Sequence, residues 1–200
     1  PEKHWETGFS ARTLAHCWEE AKGLPPEIAA LFDGLATLLL GIPEHKVDLP
    51  GGSRPSQTDL FALMRWHDRT IACAVEGKVA EPFGPTIEEW QAEPSAGKKK
   101  RLDYLCDVLG LAQPLPPNLR YQLLHRTASA AIEADRFKTD EAAMIVHSFS
   151  RTGQWFEDFA LFAKLLGLAA TRDKLHSFTL PSGKRMHLAW ATGNPAYLSR

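Results

Sequence analysis

Between positions 57 and 79 the chain is rich in apolar, β-branched and aromatic residues, and a short break at Trp66-His67-Asp68-Arg69 divides the run. This pattern predicts two strands, 57–66 and 70–79, folded back about a two-residue turn at His67-Asp68. That register pairs Phe61 with Ala74 and Leu63 with Ala72 on one face. On the other it pairs Leu60 with Val75, Ala62 with Cys73 and Met64 with Ile71. A hairpin apolar on both faces belongs in the middle of a covered sheet.

The flanking segments change period. Leu14, Cys17, Trp18 and Ala21 recur at three and four residues, which predicts a helix from Ser10 or Thr13 to about Lys22, stopped by Gly23. A second helix is expected from Pro25-Pro26 through EIAALFDGLATLLL, with Leu31, Leu35, Leu38 and Leu39 as its core face. HKVDL (45–49) reads as a short strand, and PGGSRPS after it as a loop, either a lid or a plain surface connection. Beyond the hairpin, 81–97 is irregular apart from a turn at TIEEWQ. Helices are expected over 98–110, 119–137 and 154–166, a buried strand over 142–149, and a closing hairpin turned at Pro181-Ser182-Gly183-Lys184. This order gives an α/β fold, a mixed sheet with helices on both faces, in one domain spanning 1–200.

Two hundred residues with 44% apolar and 24% charged content suit a single globular core. No apolar run approaches the roughly 18 residues of a membrane span, and no signal peptide is visible, so a cytoplasmic location is expected. Cys17, Cys73 and Cys106 sit apart in apolar runs and read as buried thiols. A net charge of −1 confines any nucleic-acid contact to a local basic face.

The hairpin register places Asp59 opposite Glu76, with Cβ atoms about 4.5–5.5 Å apart. Lys78 falls on the same face as Glu76. Facing carboxylates in an apolar sheet are costly, and a divalent cation with oxygen ligands offsets that cost directly. The alternative is a surface salt-bridge network in which Lys78 merely neutralises Glu76, a pair worth little if exposed.

Asp59 followed by Glu76-Gly77-Lys78 on the next strand resembles the PD-(D/E)xK nuclease superfamily, with Thr58 standing where that family has Pro. The resemblance implies a restriction-endonuclease-like α-β-β-β-α-β core over 13–149, extended here by a C-terminal helix and hairpin. It implies that Asp59, Glu76 and the Gly77 carbonyl bind Mg2+ (or Mn2+), and that Lys78 helps activate or position the attacking water. It also suggests a further metal-directed carboxylate on the first helix, Glu19 or Glu20, against the plainer reading of each as a solvated helix side chain. Gln122 and Arg126 share a helix face at i and i+4 and could point at phosphate or at Glu76, or else form an exposed polar face. Lys98, Lys99, Lys100 and Arg101 read either as a solvated face or as contacts to backbone phosphates. His147, inside an apolar run, is expected to be a core histidine.

Zinc-protease, nucleophile-elbow, Walker and dinucleotide signatures are all missing from the sequence. The expected function is metal-dependent cleavage of a nucleic acid, DNA first, by a monomer or homodimer. A catalytically inactive module of the same fold, binding nucleic acid or protein, is the alternative.

Overall fold

A computed structural model describes residues 6–200. Helix α1 (Ser10–Ala21) and the short α2 (Pro26–Ala30) lead into strands β1 (Ala36–Val47), β2 (Ser56–Trp66) and β3 (Arg69–Lys78). Then come α3 (Ile87–Gln91), α4 (Ala96–Leu109), α5 (Tyr121–Arg136), β4 (Glu141–Ser148) and α6 (Phe156–Leu165). The hairpin of β5 (Leu175–Thr179) and β6 (Arg185–Thr192) closes the sheet, followed by a 3-10 turn, Pro195–Ser199.

The six strands form one mixed sheet in the order β1-β2-β3-β4-β6-β5. β1, β2 and β3 run antiparallel, while β3-β4 and β4-β6 are parallel. One face packs Phe61, Ala74 and Met144 against α4, α5 and α6; the other packs Leu60, Val75 and Ile145 against α1 and α2. The expected α/β architecture, a mixed sheet between helical layers, is what forms. Cys17, Cys73 and Cys106 are free and buried, as expected. Among the described residues no helix is long and apolar enough to cross a membrane.

The long second helix does not form. α2 ends after one turn because Asp33 and Gly34 both take left-handed backbone, φ 55 and 71. The leucine-rich run that follows is the edge strand β1, so Leu35, Leu39 and Leu40 are exposed instead of forming a helical core face. The short strand expected over 45–49 is only the end of β1, and the TIEEWQ turn is a capped helix, α3, with a complete capping box at Thr86 and Glu89.

The β2-β3 turn is the predicted two-residue turn, with His67 at φ 55. The predicted register holds from Trp66-Arg69 to Leu60-Val75 and stops there. Thr58 Oγ1 donates to the Val75 carbonyl at 3.0 Å, so a side chain takes the place of the next ladder bond. Asp59 and Glu76 are therefore not a ladder pair.

Candidate functional site

β3 alternates its side chains, so Ala74, Glu76 and Lys78 point toward α5, and Val75 and Gly77 toward α1. Glu76 and Lys78 are 2% and 4% exposed, which removes the surface salt-bridge reading. Lys78 Nζ donates to Glu76 Oε1 at 3.0 Å and lies 5.0 Å from the Phe83 ring centroid. From α5, Gln122 Nε2 donates to Glu76 Oε1 and Arg126 Nε to Glu76 Oε2, each at 2.6 Å. The i, i+4 spacing of Gln122 and Arg126 thus delivers both to Glu76. Burial alone would push the Glu76 carboxyl upward, but Arg126 and Lys78 outweigh it and hold it below the usual carboxylate range.

Ser56 and His125 complete this side of the site; His125 belongs to the polar residues that the resemblance suggests on this helix, and Ser56 was not expected from the sequence. Ser56 Oγ lies 2.8 Å from His125 Nδ1 and accepts from Arg126 Nη1 at 3.2 Å. Burial, then Arg126, push His125 down to about 3, so the ring is neutral. It buttresses Arg126 through Ser56 without adding charge.

Asp59 is differently placed. Its Oδ2 accepts from the Gly77 N–H at 2.8 Å. A Cβ built on Gly77 would sit 3.4 Å from that oxygen and from Leu14, in close contact with both. Burial and then the charge of Glu76 push the Asp59 carboxyl up to about 8, against the pull of Lys78, Arg126 and the Gly77 N–H. Of the two carboxylates, Glu76 has its compensating cations and Asp59 has not. The offset assigned to a metal at Glu76 is supplied by Arg126 and Lys78.

Three observations bear on whether a divalent cation fits here. Asp59 lines a cavity of about 180 Å³ together with Glu19 of α1 and Glu44 of β1. Glu76 Oε2 accepts one hydrogen bond and keeps a second lone pair. Gln122 Oε1 is buried and has no partner among the described residues. Asp59, Glu19 and Glu44 line that cavity, while Glu76 and Gln122 lie on the α5 side and do not line it. Of Asp59 and Glu76, Asp59 is the carboxylate toward which a hard cation would be drawn.

The structure brings Glu19, and not Glu20, to this cavity; Glu20 turns away to an exposed ion pair with Arg200 at 2.9 Å. The cationic run at α4 is engaged elsewhere. Lys98 donates to the Glu93 carbonyl at 2.8 Å, and Lys99 pairs with Asp103 at 2.7 Å. Arg101 holds the 50–52 loop through the carbonyls of Leu49, Pro50 and Gly52. That loop is pinned to α4, as Gly51 packs directly on Gly97. Lys100 is exposed and has no partner among the described residues.

His147 is fully buried, in a cluster with Cys17 and Glu27 whose ligand-type atoms lie within 4.8 Å of one another. Trp18 Nε1 donates to His147 Nδ1 at 3.2 Å, so the ring proton sits on Nε2, which donates to Glu27 at 2.8 Å. Neither ring nitrogen keeps a lone pair for a metal, and burial pushes the Cys17 thiol up to about 12. The cluster joins α1, α2 and β4 as a neutral histidine satisfied by a carboxylate and an indole.

Residues 1–195 match the family described as Domain of unknown function (DUF6946). The chain belongs to this family. No curated protein and no solved structure matches it. In this DUF6946 chain the charged residues at the β2-β3 strand ends therefore carry the functional argument alone.

Proposed function

We propose that this chain is a metal-dependent phosphodiesterase acting on DNA, with Asp59, Glu76 and Lys78 as its reactive set. The observation that carries the reading is a cluster in which buried Glu76, Lys78 and Arg126 stand beside the half-buried Asp59, where the ends of β2 and β3 meet α5. Buried charge of this density is costly, and it concentrates at sites where ionisation has a use. The element order and the Asp59, Glu76-Gly77-Lys78 spacing support the resemblance to PD-(D/E)xK nucleases.

Asp59 and Glu76 would hold Mg2+ or Mn2+, with the Gly77 carbonyl implied by the resemblance and Glu19 at the cavity wall. When bound, the cation supplies polarisation of a phosphoryl oxygen and a more acidic water. Lys78 is fixed by Glu76 and directs its ammonium at negative charge developing on the phosphate. Arg126 and Gln122 hold Glu76 in one orientation, and Ser56 with neutral His125 holds Arg126.

The test is incubation of the protein with plasmid and linear DNA in Mg2+ or Mn2+. Cleavage is expected with either metal, none in EDTA, and none by Asp59→Asn. Absence of metal-dependent cleavage by the wild type would remove the enzymatic reading.

A second reading, a non-catalytic module of the same fold binding nucleic acid or protein, is favoured by one observation. Glu76 is already satisfied by three protein donors, Lys78, Gln122 and Arg126. Retained DNA binding with no metal uptake would select this reading.

A further inference from the structure

A second set of reactive groups lies at the other end of the sheet. β4 pairs Ser148 with Lys78 but Glu141 with Ile71, so Glu141 stands about 23 Å along the strand from the Asp59 site. Ser177 of β5 and His187 of β6 are directly opposed across their ladder. Ser177 Oγ lies 2.8 Å from His187 Nδ1, and His187 Nε2 lies 2.7 Å from Glu141 Oε2. His187 and Glu141 are buried, whereas Ser177 is exposed.

The direction of these bonds follows from charge. Arg69 Nη1 pairs with Glu141 Oε1 at 3.4 Å. A carboxylate only accepts, so the ring proton is on Nε2 and Nδ1 is left as acceptor. Ser177 O–H therefore donates to a neutral imidazole whose far side is held by a carboxylate. Burial keeps that ring neutral, outweighing the pull of Glu141. This is the polarity of a nucleophile, a base and an orienting acid. Compared with the serine-protease triad the two ring nitrogens exchange places, which leaves the proton path unchanged.

Ser177 opens onto a cavity of about 390 Å³ whose wall includes Leu31, Asp33, Trp66 and Lys174. The Trp66 ring centroid lies 5.9 Å from that of His187, so the indole packs beside the imidazole.

We propose that Ser177 is the nucleophile of a second site that takes acyl groups from small carboxylic esters. Ser177 Oγ bonds to the carbonyl carbon while its proton passes to His187 Nδ1. The alkoxy C–O bond then breaks, and the departing alcohol takes that proton. The acyl group remains on Ser177 until a water, giving its proton to the same nitrogen, displaces it as a carboxylic acid; the proton returns to Ser177. Glu141 is a positioning residue.

Reaction of the full chain with an alkyl fluorophosphonate, followed by peptide mass mapping, tests the site. Ser177 should label at least about 100-fold faster than the exposed Ser182, with no adduct there in Ser177→Ala. His187→Gln should slow labelling by a similar factor. On p-nitrophenyl acetate, Glu141→Gln should lower kcat with KM unchanged. The Ser177-to-Ser182 ratio is read in the wild type alone and needs no buried substitution to fold. Labelling of Ser177 no faster than Ser182, or a folded His187→Gln labelling at the wild-type rate, would overturn the proposal.

Discussion

Replacing Glu76 with alanine is expected to destabilise the protein by about 3–5 kcal/mol, measured by urea denaturation against wild type. The reason is the asymmetry of buried charge. Glu76 is the shared anion of Lys78 and Arg126, and all three are buried. Removing it leaves two cations out of water without the anion they share, and it deprives Gln122 Nε2 of its acceptor. Adding Arg126→Met to Glu76→Ala should recover part of the loss, because the stranded guanidinium goes with it. A loss below about 1 kcal/mol would be the behaviour of an exposed pair and would contradict the burial seen here.

The second large effect is on rate. Lys78→Ala is expected to lower DNA cleavage about 10²–10³-fold, chiefly in kcat, with a smaller effect on stability than Glu76→Ala. Glu76 keeps Arg126 and Gln122 after this substitution, so no buried charge is stranded. What is lost is the ammonium near the reacting phosphate and its contact with the Phe83 ring. Single-turnover cleavage with excess enzyme separates this from weakened binding. Equal rates for both proteins would take Lys78 out of the chemistry.

Much of this arrangement could be read from the chain before its structure. The β2-β3 register was legible because alternation on two apolar faces permits few slips, and the His67-Asp68 turn sets it. Its last pair was not, because Thr58 places a side-chain hydroxyl where a backbone donor was expected. β1 was misread as helix because Leu31, Leu35, Leu38 and Leu39 have helical spacing, while the break is set by backbone angles at Asp33 and Gly34. A leucine period carries no record of such a break beyond the Asp-Gly pair itself.

The site divides in the same way. Gln122 and Arg126 were found by helical spacing, a local property. Ser56 was missed because its contact with His125 depends on how β2 meets α5 across the sheet. Glu19 and Glu20 could not be separated by pattern, since adjacent helix residues differ only in which way the helix is turned. Arg101 was read as part of a solvated or phosphate-facing run, because a charge run carries no sign that its acceptors are carbonyls of a distant loop.

Asp59 carries the central claim, and its ionisation sets the terms of the decisive test. Its folded pKa lies above its unfolded value of about 3.9, so its contribution to stability is present below that pH and lost as pH rises through about 8. Metal binds the ionised form, so a divalent cation should stabilise the protein more at pH 8.5 than at pH 6. The measurement is thermal unfolding of wild type and Asp59→Asn with and without Mn2+ at these two pH values. Wild type should gain about 2.7 kcal/mol when Mn2+ stands a hundredfold above its Kd. Asp59→Asn should gain nothing, and without metal it should melt no lower than wild type, and higher at pH 8.5. A wild type indifferent to Mn2+, beside a destabilised Asp59→Asn, would contradict the metal centre.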